Sequence, residues 1–203
     1  MIRADLLQFD RLDLGGGYFT SPYEFPGKLP GDIIHHKNET TLESYRKVFS
    51  AIHSMPTRLL EVGIQNGGSL CLWHEVFTGC DVTGMDVDLS QLQSEFLAWN
   101  YPKKVRIVLV DCRHRGSIAS VADKVSPLDI IIDDGAHDIV TISNCFIVLW
   151  PCLVVGGLYF IEDYAALHEI HQAELIDVLR SYKGASITVY SNFLFLEKSC
   201  FVP

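Results

Sequence analysis

A chain of 203 residues is long enough to bury a substantial core in one domain, and a net charge of −9 with no basic run or stripe argues against a phosphate backbone as partner. The six cysteines are scattered without a C-x-x-C pair or a His/Cys ligand spacing, which suits reduced, buried thiols in the cytoplasm better than disulfides. The first residues, Met1-Ile-Arg-Ala-Asp5, lack the continuous apolar core of a signal peptide.

Residues 1–40 read as an irregular arm or lid. Gly15 to Gly17, Pro22, Pro26, Pro30 and Gly31 break any periodicity, while Tyr18, Phe19, Tyr23 and Phe25 supply aromatic surface. Residues 41–203 then read as one continuous core. Thr41 to Ile52 has helical spacing, with Thr40 or Thr41 as cap and Pro56 as stop. Next comes Arg58-Leu-Leu-Glu61-Val-Gly63-Ile-Gln65-Asn-Gly67-Gly68-Ser69, a short apolar strand that runs into a glycine turn and opens a helix. Ser69 sits where a cap would, and Leu70, Trp73 and Phe77 form a helical stripe. The free N–H groups of such a turn favour a ligand carboxylate or another anionic group. The spacing E-x-G-x-x-x-G-G differs from the dinucleotide pattern G-x-G-x-x-G, and the absence of Gly-Lys-Ser/Thr excludes a P-loop.

Strands and helices alternate from there. Asp81 to Asp88 is a strand, Leu89 to Asn100 a helix, Val105 to Asp111 a strand and Ser117 to Lys124 a short helix. Leu128 to Gly135 is an apolar strand with an acidic end. From Ile139 to Ile161 there is no charge, a stretch long enough to span a bilayer, but Pro151, Gly156 and Gly157 divide it into a buried helix and a strand ending at Glu162-Asp163. His168 to Tyr182 is a helix, and two strands flanking Ser191-Asn192 form a closing hairpin. This order predicts an α/β fold, a mostly parallel sheet with helices on both faces and an antiparallel hairpin at the C-terminus. The positive mean hydropathy is explained by a buried interface in a homo-oligomer.

Five successive strands end in carboxylates: Glu61, Asp86/Asp88, Asp111, Asp133/Asp134 and Glu162/Asp163. In an open α/β sheet those ends border the ligand crevice, and a row of five is hard to ascribe to helix caps. Trp73, Trp99 and Trp150 fall on helical faces and read as core. His114, His168 and His171 have no ligand spacing.

The glycine turn after an acid-bearing first strand, followed by five β-α units and a hairpin, resembles the class I S-adenosylmethionine-dependent methyltransferases and their Rossmann-like seven-stranded sheet, over about residues 45–200. The narrower string E-V-G-x-x-x-G-G-S-L-x-L-W resembles a smaller group, together with Asp133-Asp134-Gly135-Ala136-His137 and Gly156-Gly157-Leu-Tyr-Phe-Ile-Glu162-Asp163. That group comprises the macrolide sugar O-methyltransferases and the relatives named after cephalosporin hydroxylase. His36-Lys37-Asn38, ahead of Thr41 and Tyr45, stands where the group has Asp-Lys-Gly.

The resemblance implies a cofactor site in which Glu61, Gly63, Gln65, Gly67, Gly68 and Ser69 border the methionine portion of S-adenosylmethionine. Asp86, with Asp88 second, takes the ribose hydroxyls; Asp111 and Cys112 face the adenine, and Asp133 approaches the methionine end. It implies magnesium held by Asp134, Glu162 and Asp163, and His137 as general base beside Asp134. The chemistry agrees: a sugar hydroxyl is a poor nucleophile, and a divalent cation with a nearby histidine removes its proton. The expected activity is methyl transfer to a hydroxyl of a small molecule, a sugar or secondary metabolite, with neither nucleic acid nor membrane as partner. The rival readings are a metal-dependent hydrolase on the same sheet and a non-catalytic cofactor-binding protein; a nucleic-acid methyltransferase is the weaker rival.

Overall fold

The apolar runs bounded by glycines and acids form one seven-stranded sheet in the computed structural model, which describes residues 28–49, 55–101, 103–190 and 193–200. Strands β1 (Arg58–Val62), β2 (Asp81–Asp86), β3 (Arg106–Leu109), β4 (Leu128–Asp133) and β5 (Leu153–Glu162) are parallel. Strand β6 (Ala185–Tyr190) and strand β7 (Phe193–Lys198) close the sheet, β7 pairing antiparallel with both β5 and β6. The order is β3-β2-β1-β4-β5-β7-β6. The chain therefore moves outward from β1 on one side, returns, and moves outward on the other. That reversal between β1 and β4 leaves a crevice at the carboxyl ends of the strands.

Strand alternation sorts the core into two layers. Leu59, Val82, Ile130, Ile132 and Phe160 face helices α1 (Glu39–Phe49), α2 (Gly68–Val76) and α3 (Ser94–Trp99). Leu60, Val62, Ile131, Tyr159 and Ile161 face α4 (Arg115–Val125), α5 (Ile139–Leu149) and α6 (Glu169–Arg180). Each fully buried large side chain contributes about 1.5–3 kcal/mol. On the first layer Tyr45 is the hub, its ring centroid 4.9–5.2 Å from those of Phe49, Trp73, Phe160 and Phe193.

Several local expectations are corrected. Helix α1 starts at Glu39, and the side chain of Asn38 accepts from the Thr41 N–H and hydroxyl, so Asn38 does the capping assigned to Thr40 or Thr41. Ser69 does not cap α2: Gly67, at φ 84, precedes the helix, and the Ser69 hydroxyl donates to Glu61 at 2.7 Å. Helix α3 starts at Ser94 rather than Leu89, because Asp88 accepts from the Ser90 N–H and Gln93 is held in the preceding loop by Ile34 and Asn66. The uncharged stretch splits into α5, a short 3-10 turn and β5, and no described helix is long and apolar enough to cross a membrane. The arm over 1–27, the end of the first helix near Ile52, and the hairpin turn Ser191-Asn192 lie outside the described residues.

Candidate active site

A cavity of about 740 Å³ opens at the carboxyl ends of β1, β2, β4 and β5. Its floor begins at Gly63, whose φ of +79 is a conformation that glycine adopts without cost. A Cβ there would stand 2.2 Å from the Asp134 carbonyl oxygen, so the glycine lets the loop after β4 lie against the end of β1. Gly67 and Gly68 serve the protein in the same manner. Added Cβ atoms would meet the Phe96 ring at 2.5 Å and the Ile34 carbonyl oxygen at 2.0 Å, and neither glycine lines the cavity. The close approach these two glycines permit within the protein is by Phe96 and residues 34–35.

Asp86, at the end of β2, faces the turn. Its Oδ2 accepts from the N–H groups of Ile64 (2.8 Å) and Gln65 (3.0 Å), and its Oδ1 from Asp88 N–H (3.1 Å). A carboxylate offers about four acceptor positions, so one remains for a ligand hydroxyl. Asp88 itself is exposed, accepts from the Ser90 N–H, and does not line the cavity. Asp111 and Cys112 do line it. Asp111 is already engaged by Arg113, whose guanidinium reaches both carboxylate oxygens (2.9 and 2.7 Å); that bonding holds the acid down at about 2.

At the other end of the cavity the acids of β4 and β5 meet Lys37, which arrives from the segment before α1. Its ammonium lies 2.5 Å from Asp134 Oδ2, 2.5 Å from Glu162 Oε1 and 3.4 Å from Glu61 Oε1. The lysine side chain is 4% exposed. Burial works against its charge, but the three carboxylates outweigh that and raise its pKa above the ordinary value. Tyr45 donates to Glu162 at 2.7 Å. Glu61 is wholly buried beneath the cavity; burial pushes its carboxyl up to about 7 against the pull of Lys37. Burial likewise raises the Glu162 carboxyl above its ordinary value. Asp133, also buried, accepts from the Tyr159 hydroxyl at 3.3 Å and is pushed up to about 7 by loss of solvent.

His137 stands on the open side. Its Nε2 is 3.8 Å from Asp134 Oδ1 and 3.6 Å from Asp163 Oδ2. The ligand atoms of Asp134, His137 and Asp163 all lie within 4.8 Å of one another, and so do those of Glu61, Asp134 and Glu162. Asp134 Oδ1 and Glu162 Oε2 make no hydrogen bond among the described residues, so oxygen donors suited to a hard divalent cation remain available on two residues that line the cavity. Of the four non-glycine residues with positive φ among the described ones, three line this cavity: Gln65, His137 and Asp163. Such conformations persist where the surroundings enforce them, and they gather at functional sites.

Of the residues expected from sequence, the cavity gathers Gly63, Gln65, Ser69, Asp86, Asp111, Cys112, Asp133, Asp134, His137, Glu162 and Asp163. Sequence reasoning gave no role to Lys37, Tyr45 or Arg113. Lys37 meets Asp134 and Glu162 across 97 and 125 residues, a distance at which no spacing rule operates.

A Rossmann-like sheet with this strand order and this cavity is the fold of the class I methyltransferases, which the chain resembles. The likeness narrows among individual proteins. The chain is 29% identical over 152 residues to the 8-demethyl-8-alpha-L-rhamnosyl tetracenomycin-C 2'-O-methyltransferase of Streptomyces olivaceus, covering 69% of this chain and 38% of that one. It is 30% identical over 126 residues to the demethylmacrocin O-methyltransferase of Streptomyces fradiae, covering 59% and 30%. The structure of the MycE methyltransferase from the mycinamycin biosynthetic pathway, in complex with Mg and S-adenosylhomocysteine, matches with a TM-score of 0.63 at 25% identity. That match covers 78% of this chain and 49% of the other. The chain thus spans well under half the length of these two curated relatives. No protein-family model matches it.

Proposed function

We propose that the chain is an S-adenosylmethionine-dependent O-methyltransferase that acts on a hydroxyl of a small molecule, a sugar on a secondary metabolite, with residues 41–203 as the catalytic unit. The observation that carries this reading is one continuous cavity. It joins the glycine turn, Asp86 and Asp111 at one end to Asp134, His137 and Asp163 at the other. Its volume suits a cofactor and part of an acceptor.

Gly63, Gln65 and Ser69 would border the methionine portion, Asp86 one ribose hydroxyl, and Asp111 with Cys112 the adenine edge. When bound, S-adenosylmethionine supplies a methyl group that passes to the acceptor oxygen while the carbon–sulfur bond breaks and sulfur keeps the electron pair. Asp134, Glu162 and Asp163 would hold a divalent cation, magnesium on the precedent of the MycE complex, which lowers the pKa of an acceptor hydroxyl. His137 takes the acceptor proton at Nε2, with Asp134 and Asp163 at 3.8 and 3.6 Å from that nitrogen. The rest is alignment of oxygen, methyl and sulfur along a line.

The exclusion of nucleic acid is supported by the net charge of −9, and a cytoplasmic setting by six free cysteines. Self-association is supported by the positive mean hydropathy and is tested by sedimentation. Calorimetric titration with S-adenosylhomocysteine, with and without magnesium, tests the central reading. Saturable binding is expected. Folded protein that binds none at millimolar ligand would overturn it in favour of a hydrolase.

A further inference from the structure

The cluster of Glu61, Asp134 and Glu162 is not an ordinary acidic patch. Glu61 is fully buried and Glu162 nearly so, and Glu61 Oε1 is sealed from solvent with no hydrogen-bond partner among the described residues. That oxygen points at the Lys37 ammonium, 3.4 Å away. Three carboxylates thus converge on one point, and a protein cation occupies it. An ammonium is a compact charge with three N–H donors; here it donates to Asp134 and Glu162, while Glu61 Oε1 stands 3.4 Å away as an ion-pair partner without a hydrogen bond.

We propose that Lys37 fills a divalent-cation seat formed by Glu61, Asp134 and Glu162, and that removing its side chain opens this seat to a metal ion. The seat shares Asp134 and Glu162 with the metal set of the proposed function but uses Glu61 in place of Asp163, so it lies on the inner side of the same carboxylates. Lys37 is a positioning residue. It fixes the inner oxygens Asp134 Oδ2 and Glu162 Oε1 and leaves Asp134 Oδ1 and Glu162 Oε2 without a hydrogen bond among the described residues. The charge arithmetic points the same way. With all three acids ionised, the carboxylates and one ammonium sum to −2, and loss of the lysine leaves at most −3 in a buried volume, where an uncompensated charge is strongly unfavourable. Carboxylate oxygens suit Mn²⁺ or Mg²⁺.

The inference rests on the proposed function only for the number of ions the unaltered protein binds. The test counts Mn²⁺ equivalents by the spin-resonance signal of the free ion, for the full chain and for K37A, with folding followed by circular dichroism. K37A is expected to bind one more equivalent than the unaltered protein, and K37A/E61Q to lose it again, because Glu61 belongs to the inner seat alone. A count rising from one to two supports both readings. A rise from none to one supports the seat and removes the metal from the proposed function. An unchanged count of one in K37A, at whatever affinity, overturns the seat and leaves the outer metal standing; no ion in either protein overturns both. If K37A does not fold, K37Q, whose amide keeps two N–H donors and removes the charge, is read in the same way.

Discussion

Replacing Asp86 separates its two roles. In the structure its carboxylate receives three backbone N–H groups, from Ile64, Gln65 and Asp88, and so holds the glycine turn in shape. Hydrogen bonds to a charged acceptor are worth about 1.5–3 kcal/mol each when sheltered. Asp86 is half-buried, so the three together stabilise the fold by about 3 kcal/mol in D86A terms. For a chain of this size that corresponds to a Tm lower by about 6–12 °C. D86N keeps one oxygen for the Ile64 and Gln65 N–H groups and is expected to lose only about 1 kcal/mol. Its outward atom, however, changes from acceptor to donor, and a ribose hydroxyl loses a charged partner. A bond of about 1.5–3 kcal/mol converts to roughly 10- to 150-fold in Kd. The assay is calorimetric titration with S-adenosylhomocysteine alongside thermal unfolding for both variants. D86N that binds within twofold of the unaltered protein would show that the carboxylate serves the turn alone, and the ribose assignment would fall.

Three further outcomes are expected. H137N, whose side chain tolerates the φ of 51 at that position, should lower kcat for methyl transfer by about 10²–10⁴-fold, with S-adenosylhomocysteine affinity held within twofold; a kcat near that of the unaltered protein removes His137 as base. G63A combines a φ of +79 with a Cβ 2.2 Å from a backbone carbonyl, and should cost about 3 kcal/mol or more; a Tm shift under 2 °C would refute the close approach of β1 and the loop after β4. Burial pushes the Cys71 and Cys80 thiols up to about 12, so at pH 8 their thiolate fraction is about 10⁻⁴. Iodoacetamide mapping by mass spectrometry should label exposed Cys200 well before either, and equal rates would contradict the packing around them.

The sheet was legible because its signals are local. Apolar runs such as Leu128 to Ile132 and acid-ended strands are written in consecutive residues, and an alternating β-α order admits few topologies. Helix beginnings were less legible. The start of α3 depends on Gln93 being held by Ile34 and Asn66, contacts made across 59 and 27 residues. Glycine was ambiguous for a related reason: the residues read as ligand-approaching, Gly67 and Gly68, admit Phe96 and Ile34 instead, and sequence does not distinguish a cofactor from a neighbouring segment. The acids were identified by position, but not which would be buried. Glu61 disappears under the floor, while Asp88, two residues beyond β2, turns to its own loop.

The paired acids at the ends of β4 and β5 explain how one edge serves both stability and chemistry. In each pair the last strand residue points inward and meets a tyrosine: Asp133 accepts from Tyr159, and Glu162 from Tyr45. Both tyrosine rings are wholly buried, Tyr45 among Phe49, Trp73, Phe160 and Phe193, so each hydroxyl fixes its acid against a rigid apolar wall. The next residue, Asp134 or Asp163, has left the strand and turns toward the cavity, where the two flank His137 at 3.8 and 3.6 Å. At the end of β5 the left-handed conformation of Asp163 makes that turn within one residue, and His137 adopts the same conformation three residues after Asp134. A buried acid bonded to tyrosine is held in place; a more accessible acid beside a histidine, half-buried Asp134 or exposed Asp163, can take part in binding and proton transfer. Placing the two kinds side by side gives the outer pair a fixed base, with Lys37 securing the inner side of Asp134.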